Sequence, residues 1–175
     1  MKYDYIFLLG RESELSMAEL RSVFADVSIF WDFALVHEEE GRLMDLTRTL
    51  WGTIKIGKIL SKNIQKQELL EAITFQIKER VEPGKKLRIG IDSFVPAFSS
   101  LVFKVKDALK TEWASIRVVQ HEWWRIKTAT TLHEKLVTQG YECMIIPTLE
   151  KNGYVLAETV FVQDIDAYSK RDMER

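Results

Sequence analysis

The residues best suited to chemistry in this chain are basic. Positions 85 to 127 hold nine of them, Lys85, Lys86, Arg88, Lys104, Lys106, Lys110, Arg117, Arg125 and Lys127, against four acids, Asp92, Asp107, Glu112 and Glu122. A local net charge of +5 suits a phosphate backbone, because each neutralised phosphate releases condensed counterions. Strand alternation sets Lys86 and Arg88 opposite Leu87 and Ile89, and Arg117 opposite Ile116 and Val118. Lys106 and Lys110 are four apart on a predicted helix and hence neighbours. A solvated face would show the same pattern. In Trp123-Trp124-Arg125, alternation turns one ring inward and the other outward. An outward Trp124 beside Arg125 and Lys127 would stack an unpaired base, a contact worth ~1–3 kcal/mol; two rings packed in the core is the competing reading. Lys127-Thr128-Ala129-Thr130-Thr131 opens a helix that continues through Lys135. Its free N–H groups and hydroxyls suit a phosphate, although Thr131 with Glu134 also fits a simple capping box. The candidate nucleic-acid contacts are thus these bases with Trp124, Thr128, Thr131 and Lys135.

Other chemistries find no footing. The sequence contains no G-x-G-x-x-G and no G-x-x-x-x-G-K-[ST], the loops that let a backbone cradle phosphates of a bound nucleotide. It contains no H-E-x-x-H and no G-x-S-x-G. His37, His121 and His133 are far apart in sequence. The single cysteine, Cys143, sits in Glu-Cys-Met-Ile-Ile, where a buried and inert thiol is expected, and it excludes a disulfide framework. No catalytic residue and no metal ligand is predicted.

The chain has 175 residues, 25 Lys+Arg, 26 Asp+Glu and a net charge of -1. That near-neutral total argues mildly against a nucleic-acid binder, but it conceals a division. Residues 1–62 carry 8 bases and 10 acids, and residues 63–175 carry 17 and 16. A hydrophobic content of 46% with 29% charged residues is that of a globular protein. No apolar run approaches the ~18 residues that span a bilayer, and Met1 to Arg11 does not read as a signal peptide. A cytoplasmic protein without membrane contact is expected.

Two units must position the basic residues. In the first, Tyr3 to Leu9 reads as a strand buried on both faces. Ser16 with Glu19 reads as a capping box opening a helix. Val27 to Val36 reads as two antiparallel strands broken at Asp32. A helix over Leu43, Leu46 and Leu50 follows, then a strand from Ile54 to about Leu60. The order β-α-β-β-α-β is the ferredoxin-like plan. The polar stretch Ser61 to Gln67 marks a boundary. In the second unit a helix carries Leu69, Leu70, Ile73 and Ile77 and ends before Pro83-Gly84. Leu87 to Ile91 reads as a strand, Phe98 to Trp113 as a helix and Ile116 to Val119 as a strand. A helix from Thr128 to Gln139 has Ala129, Leu132 and Leu136 inward and stops at Gly140. Strands at Tyr141–Pro147 and Tyr154–Gln163 flank a turn at Lys151-Asn152-Gly153. The fold class is α+β, with domains at 1–62 and 63–165 and a linker-like tail at 166–175.

Several segments resemble a known family. Phe7-Leu8-Leu9-Gly10-Arg11, followed by Glu14-Leu15-Ser16-Met17-Ala18-Glu19-Leu20, is similar to the start of THUMP-containing tRNA guanosine-N2 methyltransferases. Leu50-Trp51-Gly52-Thr53-Ile54-Lys55-Ile56-Gly57 resembles their LGGTxKIG segment, with Trp51 where a glycine is usual. Thr128 to Leu136 resembles a helix opening of their THUMP domain. Thr159 to Ile165 and Tyr168-Ser169-Lys170-Arg171-Asp172 resemble the run leading into their catalytic domain. The resemblance implies an N-terminal ferredoxin-like domain followed by a THUMP domain that grips tRNA near its acceptor end. It also implies a methyltransferase domain using S-adenosylmethionine that lies outside this chain, so a truncated form of a longer enzyme is expected. A 4-thiouridine synthetase, which pairs similar domains, is the alternative parent. A ferredoxin-like interaction module without RNA is the third reading.

Overall fold

The structure is a computed structural model that describes residues 2–47, 49–82, 86–113, 115–120, 125–148 and 153–164. The first sixty-five residues form β1 (Lys2–Leu9), α1 (Ser13–Val23), β2 (Val27–Phe30), β3 (Phe33–Glu39), α2 (Glu40–Leu46) and β4 (Thr53–Gln65). Then come α3 (Leu69–Arg80), β5 (Lys86–Ser93), a 3-10 turn (Pro96–Phe98), α4 (Leu101–Leu109) and β6 (Ser115–Val119). The described chain ends with α5 (Thr128–His133), α6 (Leu136–Gln139), β7 (Tyr141–Pro147) and β8 (Gly153–Val162).

All eight strands join in one sheet, in the order β2-β3-β1-β4-β8-β7-β5-β6. β5 is parallel to both β6 and β7, and the other pairs are antiparallel. The α+β class is therefore as expected. β4 differs: it runs on through Ser61–Gln65, where the polar composition predicts a boundary, and pairs there with Tyr154 and Gly153 of β8. Main-chain pairing needs no apolar side chain, and bulges near Ser61 absorb the polar stretch.

Strand alternation divides the core between two faces. Tyr5, Phe7 and Ile56 pack with Leu20 of α1 and Leu43 of α2. Cys143, Ile145 and Leu156 pack with Ile73 and Ile77 of α3 and Val105 and Leu109 of α4. The strand registers place both clusters on one face, here the back. Ile6, Leu8, Met144, Ile146, Val155 and Ala157 form a third cluster on the opposite, front face. On the front, α6 sits over β5. A Cβ on Gly90 would stand 2.7 Å from Ile126 and 2.9 Å from Leu136, so glycine permits the close approach.

Two local expectations are corrected. Ser16 and Glu19 do not cap α1, which begins at Ser13 with Glu12 at its N-cap. The Ser16 hydroxyl reaches Glu12 O at 3.0 Å and Gly52 O at 2.9 Å. The Glu19 carboxylate accepts from Trp51 N at 2.7 Å and Gly52 N at 3.0 Å. Side chains that resemble a capping box instead tie α1 to the turn before β4. The single helix expected over Thr128 to Gln139 is two short ones, broken at Lys135, whose φ is +53°. Leu132 is exposed and Ala129 faces solvent, while Thr131 is buried.

Candidate nucleic-acid interface

A buried polar network sets the geometry of the front face. Lys55 on β4 donates from Nζ to Asp92 Oδ2, Glu142 Oε1 and the Ile126 carbonyl, each at 2.8 Å. Asp92 Oδ1 accepts from Arg125 Nε at 2.7 Å and from Ile126 N at 3.0 Å. Glu142 accepts from the Thr131 hydroxyl at 2.6 Å and the Thr159 hydroxyl at 3.0 Å. Lys55, Asp92 and Glu142 are at most 1% exposed. Two cations face two carboxylates, and all three ammonium protons have acceptors, which makes such burial tolerable. Burial still pushes the Glu142 carboxyl above the ordinary range, against the pull of Lys55.

The network holds Ile126 by both its N–H and its carbonyl, and so fixes the segment that enters α5. Arg125 precedes it, half-buried, with its guanidinium carbon 3.4 Å from the centre of the Phe94 ring. Lys127 follows it, exposed at the N-cap of α5. Beside them lies a groove of about 490 Å³, with Leu8 and Ile54 on one wall and Arg125, Lys127, Thr128 and Leu132 on the other.

The remaining expected contacts fall into three groups. Arg88 on β5 and Arg117 on β6 are paired in register and share Glu134. Arg117 Nη2 is 2.6 Å from Glu134 Oε1, and Arg88 Nη1 donates to the Glu134 carbonyl at 3.2 Å. With Lys127 and Lys135 at opposite ends of α5, they occupy the front, and Lys86 is exposed at the start of β5. Lys104 and Lys106 lie on α4 and Lys110 at its C-cap, on the back, where Lys110 pairs with Asp107 at 2.6 Å. The single surface suggested by charge in sequence is therefore divided by the sheet. Thr131 is 1% exposed, so its hydroxyl faces Glu142 rather than a ligand. Lys85 and Trp124 lie outside the described residues, as does the 165–175 tail.

Sequence reasoning misses the network entirely. Glu142 lies on the apolar strand β7, and a carboxylate at that core position is the one signal of it that the sequence carries; Asp92 falls by alternation on the polar side of β5 with Lys86 and Arg88. Cys143 is buried as expected, and burial with nearby carboxylates pushes its thiol far up. Among the described residues no helix is long and apolar enough to cross a membrane.

No protein-family model matches the sequence, and no curated protein matches it. Solved structures do share its fold. A 4-thiouridine synthetase, crystallised in complex with RNA and with bound ATP, aligns with a TM-score of 0.51 at 14% identity over 91% of this chain and 41% of that one. TrmN from Thermus thermophilus aligns with a TM-score of 0.51 at 10% identity over 93% of this chain and 46% of that one. The chain thus spans less than half the length of either, and what it shares with them is an α+β fold.

Proposed function

We propose that this chain is the RNA-binding part of a tRNA-modifying enzyme. The observation that carries the reading is the front face itself. Arg88, Arg117, Lys127 and Lys135 surround α5 with one carboxylate, Glu134, between two of them. The buried network fixes the segment from which Arg125 and Lys127 project. A fold shared with a 4-thiouridine synthetase crystallised with RNA supports the choice of partner. In this reading residues 1–62, with β4-β1-β3-β2 in antiparallel order, are a ferredoxin-like domain. Residues 63–165 are a THUMP domain, and 166–175 begins a linker.

The finer assignment rests on the family resemblance. The parent enzyme is a tRNA guanine-N2 methyltransferase, with S-adenosylmethionine bound by a separate catalytic domain, acting in the cytoplasm. The mechanism here is positional. Cations hold phosphates, unpaired nucleotides of the acceptor end settle in the groove beside Lys127 and Thr128, and the target guanosine is held at a set distance from the reacting centre. Gel mobility shifts with whole tRNA and with tRNA lacking its 3′ end test this. Weaker binding of the shortened tRNA is expected; equal binding of both would remove the acceptor-end assignment, and no binding of either would remove the RNA assignment.

A further inference from the structure

The tip of the β2–β3 hairpin carries a residue that folding does not explain. Trp31 has φ +50° and is 56% exposed. A bulky side chain is an outlier in that left-handed region, where glycine or asparagine sits at lower cost. An exposed ring returns little of that cost through burial. Strain of this kind at a surface position points to a use.

Its surroundings indicate which use. Trp31 meets Phe30 edge-on at 5.9 Å, and Phe30 stacks on Phe33 at 5.6 Å. Phe33 meets Phe94 at 4.7 Å, and Phe94 carries the Arg125 guanidinium at 3.4 Å. An unbroken row of rings thus joins the hairpin tip to the front-face cations. The tip is also tethered, since Leu9 N donates to Asp32 O at 2.8 Å. Trp31 is therefore held in place, with the rest of its ring open. Phe30 also walls a hollow of about 320 Å³ that has Lys62 at its rim.

We propose that Trp31 is a stacking platform for an unpaired nucleobase of bound RNA, a second contact remote from α5. The inference rests on the RNA-binding reading above. A flat, rigid ring next to a row of π-faces that ends in a cation is the chemistry that holds single-stranded bases. RNA recognition uses such rings and guanidinium planes to take up splayed bases.

The test measures the affinity of the full chain for tRNA and for a single-stranded oligoribonucleotide, across a salt series, with W31G and W31F. W31G relieves the left-handed strain, so its urea midpoint should equal or exceed that of the parent. Its affinity for both RNAs should fall about tenfold, with an unchanged salt slope, because no phosphate contact is lost. W31F should stay within about threefold of the parent, and abasic sites in the oligoribonucleotide should abolish the difference between W31G and the parent. If W31G is folded and binds as the parent does, the stacking proposal fails while RNA binding stands. If the parent binds neither RNA, the RNA reading itself fails. An unfolded W31G, or a W31G affinity loss that survives abasic substitution, would overturn the proposal by giving Trp31 a structural or protein-contact role.

Discussion

Lys55 Nζ and Asp92 Oδ2 are 2.8 Å apart, although β8 and β7 lie between their strands in the sheet. Three strand spacings in a flat sheet amount to about 14 Å. The two side chains close that span by lying across the front face, where Lys55 Nζ also meets Glu142 of the intervening β7 at 2.8 Å. Ile6 of β1 and Met144 of β7 share a cluster on the same face, both reaching Gly57 of β4. Continuous pairing of β4 with β8 and these bonds bring the first unit's lysine under the second unit's candidate interface.

Removing that lysine should be costly. K55M leaves two carboxylates buried without a cation between them, and the loss of one partner in such a pair typically costs about 3–5 kcal/mol. Urea denaturation of K55M should show a large drop in midpoint with little change in slope. The triple variant K55M/D92N/E142Q should recover much of that loss, because the amides carry no buried charge yet still accept from Ile126 N and from the Thr131 and Thr159 hydroxyls. A K55M protein as stable as the parent would mean that the network is not buried as described.

The pH dependence follows from Glu142. Burial raises its carboxyl in the folded state, so the fold favours the protonated form. In the window between the ordinary carboxylate value and the raised one, the folded chain binds more protons than the unfolded chain. The contribution of Glu142 to stability is then fully present below the ordinary value and is lost as pH rises through the raised one. E142Q removes this term. Its stability should rise more steeply with pH across that window than the parent's, as read from urea midpoints at a series of pH values.

Much of this arrangement is legible in the sequence. Apolar spacing locates Leu69, Ile73 and Ile77 on α3 and Leu87, Ile89 and Ile91 on β5, because both periodicities reflect burial on one side only. Long-range pairing leaves no such trace. The capping-box spacing of Ser16 and Glu19 is satisfied equally by bonds to Gly52, thirty-odd residues away. Thr131 reads as a surface hydroxyl because its partner, Glu142, lies on a strand that meets it only in the folded chain. The basic stretch of 85–127 reads as continuous because sequence does not record that β5 and α4 present their cations to opposite faces. Local pattern specifies the elements, and the sheet order decides which side chains meet.

Gly90 offers a check on how closely α6 must approach. A methyl group at Gly90 would meet only the Cδ1 ends of Ile126 and Leu136, which can shift, but the whole side chain of G90L has no room there, and overpacking of that kind costs typically about 1–3 kcal/mol. Because Ile126 anchors Arg125 and Lys127, the same variant should also weaken tRNA binding. A G90L chain with parental melting temperature and parental affinity would show that the α5–α6 segment does not lie over β5.

Charge reversals discriminate between the two faces of the sheet. R117E and K127E remove front-face cations, and each should lower tRNA affinity and reduce the slope of log affinity against log salt by about 1. K104E and K106E change the charge on α4 by the same amount on the back, and should leave affinity and slope near the parental values. Glu134 supplies the opposite sign. Its carboxylate neutralises Arg117 and borders Arg88, so E134Q should bind tRNA more tightly and with a steeper salt dependence. A chain whose affinity responds equally to reversals on α4 and at Lys127 has no front-face interface, only a diffuse attraction to polyanions. Affinity that falls for R117E and K127E, rises for E134Q and ignores α4 places the phosphates around α5.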